Sequence, residues 1–565
     1  MNKAKKEIIN LLKKETRLKD ISLEVPKDPE HGDYAFPCFQ LSKNMKKNPV
    51  EIAKELSKTL KPKKLIKEIK EAGPYINFYI DKQELAKSTI KNILSKKENY
   101  GRSKPKKEKI MVEFVSPNTN KSLHLGHVRN GILGESVSNI IEFSGSKVIR
   151  TCLNNDKGTG MTEAMLGYEL FHKGETPSSQ KLKPDHFVAQ CYVDFKNEEK
   201  DNPDLKEKVQ QTVKRWEEKD KKTRELWKKL TGWVYKGYKQ TYKEMGFEFD
   251  KRYFESKIYK KGKDIVKKGL KKGIFVKEEK AVKAKLEKYN LPDKVLIKSD
   301  GTSLYMTQDL YLAKLKYEDF KIDKSIYVVA SEQDNHFMQL FKILELLKLK
   351  TAKENIHLSY GLVNLPQGRM KSREGNIVDA DDLIKEMKKL AKKEIKKRHK
   401  DISKKEIEKR AKNIAMGAIK FYMLKFDNVT SFTYDPEESL SFEGETGPYV
   451  QYAHARISSI LKKYNKKIPK KINYSLLNTD DDKKLIFLLS KFPEEVENAA
   501  ESYKPHLLAR YLLDLSQAFN EFYHECPILQ SDEDTKTARL NLILSVQQVL
   551  KNGLNLLGIE APEAM

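Results

Sequence analysis

The stretch Ile110-Met111-Val112-Glu113-Phe114-Val115-Ser116-Pro117-Asn118-Thr119-Asn120-Lys121-Ser122-Leu123-His124-Leu125-Gly126-His127 decides the fold. Its apolar run Ile110 to Val115 reads as a strand. Beyond it, apolar residues at Val128, Ile132, Leu133, Val137, Ile140 and Ile141 recur at the helical period, so the polar residues between form a tight turn from strand into helix. Two imidazoles and a glycine at a helix N-terminus suit an anion: the free backbone N–H groups and the helix dipole favour negative charge. Gly126 also lets a planar group approach the backbone.

The pattern extends outward from this turn. A second strand, Val148 to Leu153, follows the helix, which is the alternation of a parallel doubly wound sheet with ligands at the C-terminal strand ends. A charged helical insertion, about 163–288, carries all three tryptophans, Trp216, Trp227 and Trp233. The alternation resumes with the strand Ile326 to Ala330, a helix near Met338 to Leu347, and the strand Ile356 to Val363. A glycine-marked basic turn, Gly368-Arg369-Met370-Lys371-Ser372-Arg373-Glu374-Gly375-Asn376, comes next. The expected divisions are an α+β module at 1–105, an α/β doubly wound domain at 106–378, a helical stem at 379–440 and an all-α bundle at 441–565.

At 565 residues the chain is too long for one core and predicts several domains of ~100 to 200 residues each. Lysine and arginine total 110 against 81 acidic residues, a formal charge of +29, which makes a polyanion such as RNA a reasonable partner. Lysine runs such as Lys61 to Lys70 and Lys388 to Lys400 also arise from compositional bias, so charge alone decides nothing. Cys38, Cys152, Cys191 and Cys526 lie far apart without metal-binding spacing, predicting a reducing cytoplasmic setting and no structural metal. The segment Met1 to Asp20 lacks an apolar signal region, and no run approaches a membrane-spanning length.

The two turns resemble the HIGH and KMSKS signatures of the class I aminoacyl-tRNA synthetases, and the chain is most similar to the arginyl members. That resemblance includes Val112 to Asn118, Tyr305-Met306-Thr307-Gln308-Asp309, Gly447-Pro448-Tyr449-Val450-Gln451-Tyr452-Ala453-His454-Ala455-Arg456, and the terminal Gly558-Ile559-Glu560-Ala561-Pro562. It implies a Rossmann-like enzyme that forms arginyl-adenylate from L-arginine and magnesium-bound ATP, then transfers the arginyl group to tRNA. The expected setting is a cytoplasmic monomer, with neither DNA nor a membrane as partner.

The resemblance assigns ATP to His124, Gly126, His127, Val363, Arg369 and Met370. It places arginine against Glu113, Ser116, Asn118, His127, Tyr305, Asp309, Gln333 and Glu255, because a guanidinium fork matches carboxylates. The second KMSKS lysine is replaced by Ser372, and Lys121 is the expected compensating cation, with Lys371 and Arg373 as alternatives. Gln308 stands where the family commonly has arginine. For tRNA, the resemblance points to Tyr75 and Asn77 on a D-loop-binding module, and to Tyr449, Tyr452, Arg456, Tyr523 and Met565 on an anticodon-binding bundle. Two rivals are a degenerate RNA-binding paralogue, which predicts loss of His124, His127 or Asp309, and a glutamate or cysteine enzyme, which the paired acids and absent metal ligands disfavour.

Overall fold

The computed structural model describes residues 3–26, 28–350, 354–364, 366, 378–398 and 401–565. They form two compact units. The first comprises Met1–Ser103, Phe442–Ser502 and Leu507–Met565, and the second Lys104–Ser441 with Tyr503–His506.

In the first unit, β1 (Tyr34–Pro37), β2 (Ile66–Ala72) and β3 (Tyr75–Ile80) make an antiparallel sheet in the order β1-β3-β2. The helices Gly447–Tyr464, Asp480–Ser502, Pro505–Glu525 and Glu533–Leu556 supply the helical part. The segments 1–105 and 441–565, expected as distinct domains, join within this unit. Tyr100 stacks on Phe492 with ring centroids 6.0 Å apart, and its hydroxyl donates to the Leu489 carbonyl at 2.9 Å. Asn552 Nδ2 donates to the Lys97 carbonyl at 3.0 Å. A buried tyrosine finds its hydrogen bond in the partner segment, which ties the module to the bundle.

The second unit is built on a parallel sheet that begins with β4 (Lys109–Glu113), β5 (Lys147–Asn154) and β6 (Lys251–Phe254). A separate antiparallel sheet of β7 (Val276–Glu278), β8 (Ala281–Ala284) and β9 (Lys294–Ile297) follows. The parallel sheet is completed by β10 (Lys324–Ala330) and β11 (Asn355–Tyr360), in the order β6-β5-β4-β10-β11. Numbered along the chain this is 3-2-1-4-5, with the topological switch between β4 and β10, where a ligand crevice forms.

Two sequence expectations need correction. The insertion is not helical throughout: after the helices from Thr159 to Met245, β6 adds to the main sheet and β7 to β9 form their own. The β6 strand is only four residues long and flanked by charge, too short for a periodicity to register. The last parallel strand ends at Tyr360, and Val363 belongs instead to β12 (Val363–Asn364), paired with β13 (Phe432–Thr433). The break falls at Gly361, where a Cβ would come within 2.4 Å of the Thr430 backbone.

The signature helix Leu125–Phe143 crosses from β4 to β5 and packs close to the sheet. A Cβ at Gly134 would lie 2.4 Å from the Phe114 side chain, so glycine sets the separation of helix and strand. Among the described residues no helix is long and apolar enough to cross a membrane.

Candidate active site

The chain leaves β4 through a contorted turn. Val115 and Ser116 have φ of +66° and +40°, a region that costs a β-branched residue roughly 1–3 kcal/mol. Asn130 on the signature helix holds this turn: its Oδ1 accepts from the Val115 N–H at 2.5 Å, while Nδ2 donates to the Val328 carbonyl at 2.7 Å and meets the Tyr360 hydroxyl at 3.0 Å. Both Nδ2 partners are on β10 and β11, so one buried amide joins the turn to the far side of the switch point. Ser116, expected to meet the amino acid, is engaged structurally, its hydroxyl oxygen accepting from the Leu153 N–H at 3.0 Å. Asn118, three residues past Val115, is exposed at the crevice edge.

His124 and His127 then cap the helix reciprocally. His124 Nδ1 accepts from the Gly126 N–H at 3.1 Å, and His127 Nδ1 accepts from the His124 N–H at 3.2 Å. With both Nδ1 atoms serving as acceptors, each neutral ring carries its proton on Nε2. The rings lie 3.9 Å apart. Burial, reinforced by the nearby Lys121 ammonium, pushes His124 down to about 4, although Asp379 opposes it. Burial first, then His124 and Lys121, hold His127 well below its ordinary range. The pair therefore offers two uncharged N–H donors at neutral pH. Gly126 fits beneath the first ring, where a Cβ would sit 3.0 Å from His124 Cε1.

Carboxylates gather along the same edge of the sheet. Glu255 directly follows β6, is buried, and has an Oε2 atom without a hydrogen-bond partner. Its pKa is raised to about 7, chiefly by burial, with Asp156 and Asp309 adding to it and a hydrogen bond from Gln308 and the charge of Lys157 opposing. Asp309, on the helix Tyr305–Phe320, is hydrogen-bonded to His336 Nε2 at 2.8 Å. Tyr305, one turn earlier, is 67 % exposed. Gln333 is exposed in the short turn Ser331–Gln333 just past β10. Glu113, expected near arginine, is buried and paired with the fully buried Lys316 at 2.9 Å, whose ammonium lies 3.8 Å from the Tyr327 ring centroid.

Sequence reasoning missed Asn130, His336, Lys316 and Asp156. The last accepts from the Ser256 N–H at 2.8 Å, the Ser256 hydroxyl at 2.8 Å and the Tyr235 hydroxyl at 2.9 Å, fixing the segment that carries Glu255. The clue to His336 was the polar run Gln333-Asp334-Asn335-His336 at a strand end. Nothing in the sequence sets Lys316 apart from Lys314 two residues earlier. Lys121 lies 5.6 Å from the Tyr192 ring centroid. Arg369, Met370, Lys371, Ser372 and Arg373 lie outside the described residues. Asp185, His186 and Asp381 are close enough together to hold a metal ion, but Lys183 Nζ already lies 2.6 Å from Asp381 and 3.1 Å from Asp185.

In the first unit, four expected residues come together. Arg456 lies 4.7 Å from the Tyr452 ring centroid and 5.0 Å from that of Tyr523. Its Nη1 donates to Asn520 Oδ1 at 2.9 Å, and Asn520 Nδ2 meets the Tyr449 hydroxyl at 3.0 Å. Tyr452 and Tyr523 are 38 % and 40 % exposed, so both ring surfaces are partly open to solvent. The chain end is tied to the same helix: His454 Nδ1 bonds the Pro562 carbonyl at 2.8 Å, three residues before Met565. On β3 the outcome is mixed. Tyr75 is half-buried, edge-on to Phe39 at 6.2 Å, whereas Asn77 is only 3 % exposed on the central strand, which corrects the picture of an amide presented to a base.

Residues 89–435 match the family described as tRNA synthetases class I (R), catalytic domain. Residues 450–565 match the DALR anticodon binding domain, and 2–80 the arginyl tRNA synthetase N terminal domain. Fold and site thus define a class I aminoacyl-tRNA synthetase. The arginine–tRNA ligase of Treponema denticola is 43 % identical over 559 residues, covering 96 % of this chain and 95 % of its own length. That of Borrelia hermsii is 40 % identical over 564 residues, covering 97 % and 95 %. The Thermus thermophilus arginyl-tRNA synthetase structure superposes over the whole of both chains with a TM-score of 0.85 at 26 % identity. The chain belongs to the arginyl-tRNA synthetase family, and with it to the ligases that join an amino acid to tRNA.

Proposed function

We propose that this site activates L-arginine with magnesium-bound ATP and transfers it to tRNA. The arginine carboxylate attacks the α-phosphorus, a phosphorus–oxygen bond forms, the bond to the β-phosphate breaks, and pyrophosphate leaves. A ribose hydroxyl at the tRNA 3′ end then attacks the carbonyl carbon of the adenylate, releasing AMP. Such steps depend on positioning and on stabilising charge that develops on phosphorus oxygens. The Nε2–H groups of His124 and His127 serve as preorganised donors to those oxygens. Lys121 supplies positive charge beside them.

One juxtaposition carries the reading: fixed, uncharged imidazole donors follow β4, while the acids Glu255 and Asp309 stand on the same edge of the sheet beside Tyr305. The acids face the guanidinium of arginine, and Asn118 and Gln333 hold its amino-acid end. In the other unit, Tyr449, Tyr452, Arg456, Tyr523 and Met565 meet the anticodon loop, and Tyr75 stacks on a D-loop base. The protein works as a cytoplasmic monomer. Pyrophosphate–ATP exchange against twenty amino acids, with and without tRNA, tests the proposal. Exchange is expected with arginine alone and to depend on tRNA; exchange driven by another amino acid overturns the substrate assignment.

A further inference from the structure

Behind the imidazoles lies a polar cluster that the chemistry above does not use. Val378 and Ala380 flank the signature turn in antiparallel fashion: the Leu125 N–H donates to the Val378 carbonyl at 3.0 Å and the Ala380 N–H to the Leu123 carbonyl at 2.9 Å, with His124 and Asp379 as bridge partners. The backbone that carries His124 is thus held by residues 378–380. Asp379 accepts from the Asp381 N–H at 2.8 Å and is hydrogen-bonded by Ser122 within the turn itself.

These acids are held in turn from the insertion. Lys183 Nζ reaches Asp381 at 2.6 Å, Asp185 at 3.1 Å and the Thr241 hydroxyl at 2.5 Å. His186 Nε2 lies 3.0 Å from Asp381 and 3.3 Å from Asp379. Asp185 is wholly buried, wedged so tightly against the helix Lys221–Met245 that a Cβ at Gly237 would meet its Oδ1 at 2.1 Å. Three acids are therefore countered by a lysine and by a histidine whose carboxylate partners keep it protonated against the cost of burial. Three separate segments converge: residues 183–186, Thr241, and Asp379 with Asp381. Movement of any one segment would separate part-buried charges that now meet within 3.3 Å.

We propose that Lys183 and His186 are positioning residues for adenylate formation, gripping Asp379 and Asp381 so that residues 378–380 keep the backbone of His124 and His127 in its donating geometry. The inference rests on the arginine-activating reading above. Asn118 and His127 share the gripped turn, but the acids Glu255 and Asp309 that face the guanidinium draw on other segments, so loss of the grip falls on the ATP step more than on arginine affinity. Loss of alignment at a phosphoryl centre costs about 10- to 100-fold in rate.

The test is arginine-dependent pyrophosphate exchange on the full chain with saturating tRNA, for wild type, Lys183→Met, Lys183→Arg, His186→Gln, Asp381→Asn and the Lys183→Met/Asp381→Asn double variant. Arginine binding is measured separately by calorimetry. Lys183→Met and Asp381→Asn are each expected to lower kcat about 10- to 100-fold and raise the ATP KM, with arginine affinity changed far less. The double variant is expected to be no worse than either single one, and Lys183→Arg to recover most of the rate. Folded variants with wild-type kcat and ATP KM overturn the proposal, as does a loss shared equally by arginine affinity. Should Lys183→Met fail to fold, the cycle is run with His186→Gln and Asp381→Asn, and the same outcomes decide. Failure of wild type to show arginine-dependent exchange refutes the underlying reading instead.

Discussion

Glu255 joins a buried, unpartnered oxygen to a pKa raised to about 7, so its charge changes around neutral pH. A guanidinium selects the ionised carboxylate. Arginine affinity is therefore expected to strengthen as pH rises, by about tenfold between pH 6 and pH 8, since each pH unit below the pKa costs a factor of about ten. Glu255→Gln is expected to flatten that slope, and calorimetric titration at pH 6, 7 and 8 checks both. The two histidines behave oppositely. His124, at about 4, and His127, still further from its ordinary range, stay neutral at physiological pH. At saturating arginine, kcat for exchange is expected to show no imidazole titration between pH 6 and 8; a fall as pH drops through 6.5 contradicts the neutral-donor account. The types of these residues were legible in the sequence, because a histidine pair at a strand-to-helix turn has few uses. Their tautomers and charge were not, since both depend on which backbone N–H each Nδ1 receives.

Two interactions at the scale of elements hold the crevice in shape. Lys316, from the helix Tyr305–Phe320, enters the core to meet Glu113 at the end of β4. Removing one partner leaves a buried charge alone, so Lys316→Met is expected to destabilise the second unit by about 3–5 kcal/mol, and a paired Glu113→Gln change to recover part of it. Thermal melts of the single and double variants measure this, and additive losses contradict a direct pair. Gly134 sets the approach of the signature helix to Phe114. Although alanine is the better helix former by about 1 kcal/mol, Gly134→Ala is expected to lower stability by about 1–3 kcal/mol through overpacking, checked by the same melts. Long periodic segments such as the signature helix were readable in advance. The strand β6 and the sheet of β7 to β9 were not, because strands of three or four residues amid lysines carry no period that distinguishes them from loop.

Over the whole molecule, the proposed chemistry and the proposed RNA contacts fall to different units. Tyr452 and Arg456 stand in the first, without a part in the parallel sheet, so their alanine variants are expected to weaken tRNA binding by about 1–3 kcal/mol while sparing arginine affinity. With a formal charge of +29, wild-type tRNA affinity is also expected to fall steeply with salt. Filter binding at several salt concentrations reports on both. The order of the segments along the chain could be read from sequence, but the union of the first module with the C-terminal helices could not, since it rests on single contacts such as Tyr100 with Phe492, remote in sequence. The most direct test of the central claim is aminoacylation of total tRNA with labelled arginine by wild type and Asp309→Asn. Wild type is expected to charge tRNA with arginine, and Asp309→Asn to lose up to about 10^4- to 10^5-fold in kcat/KM for arginine while still binding ATP. An Asp309→Asn enzyme that charges arginine as wild type does contradicts the assignment of this pocket.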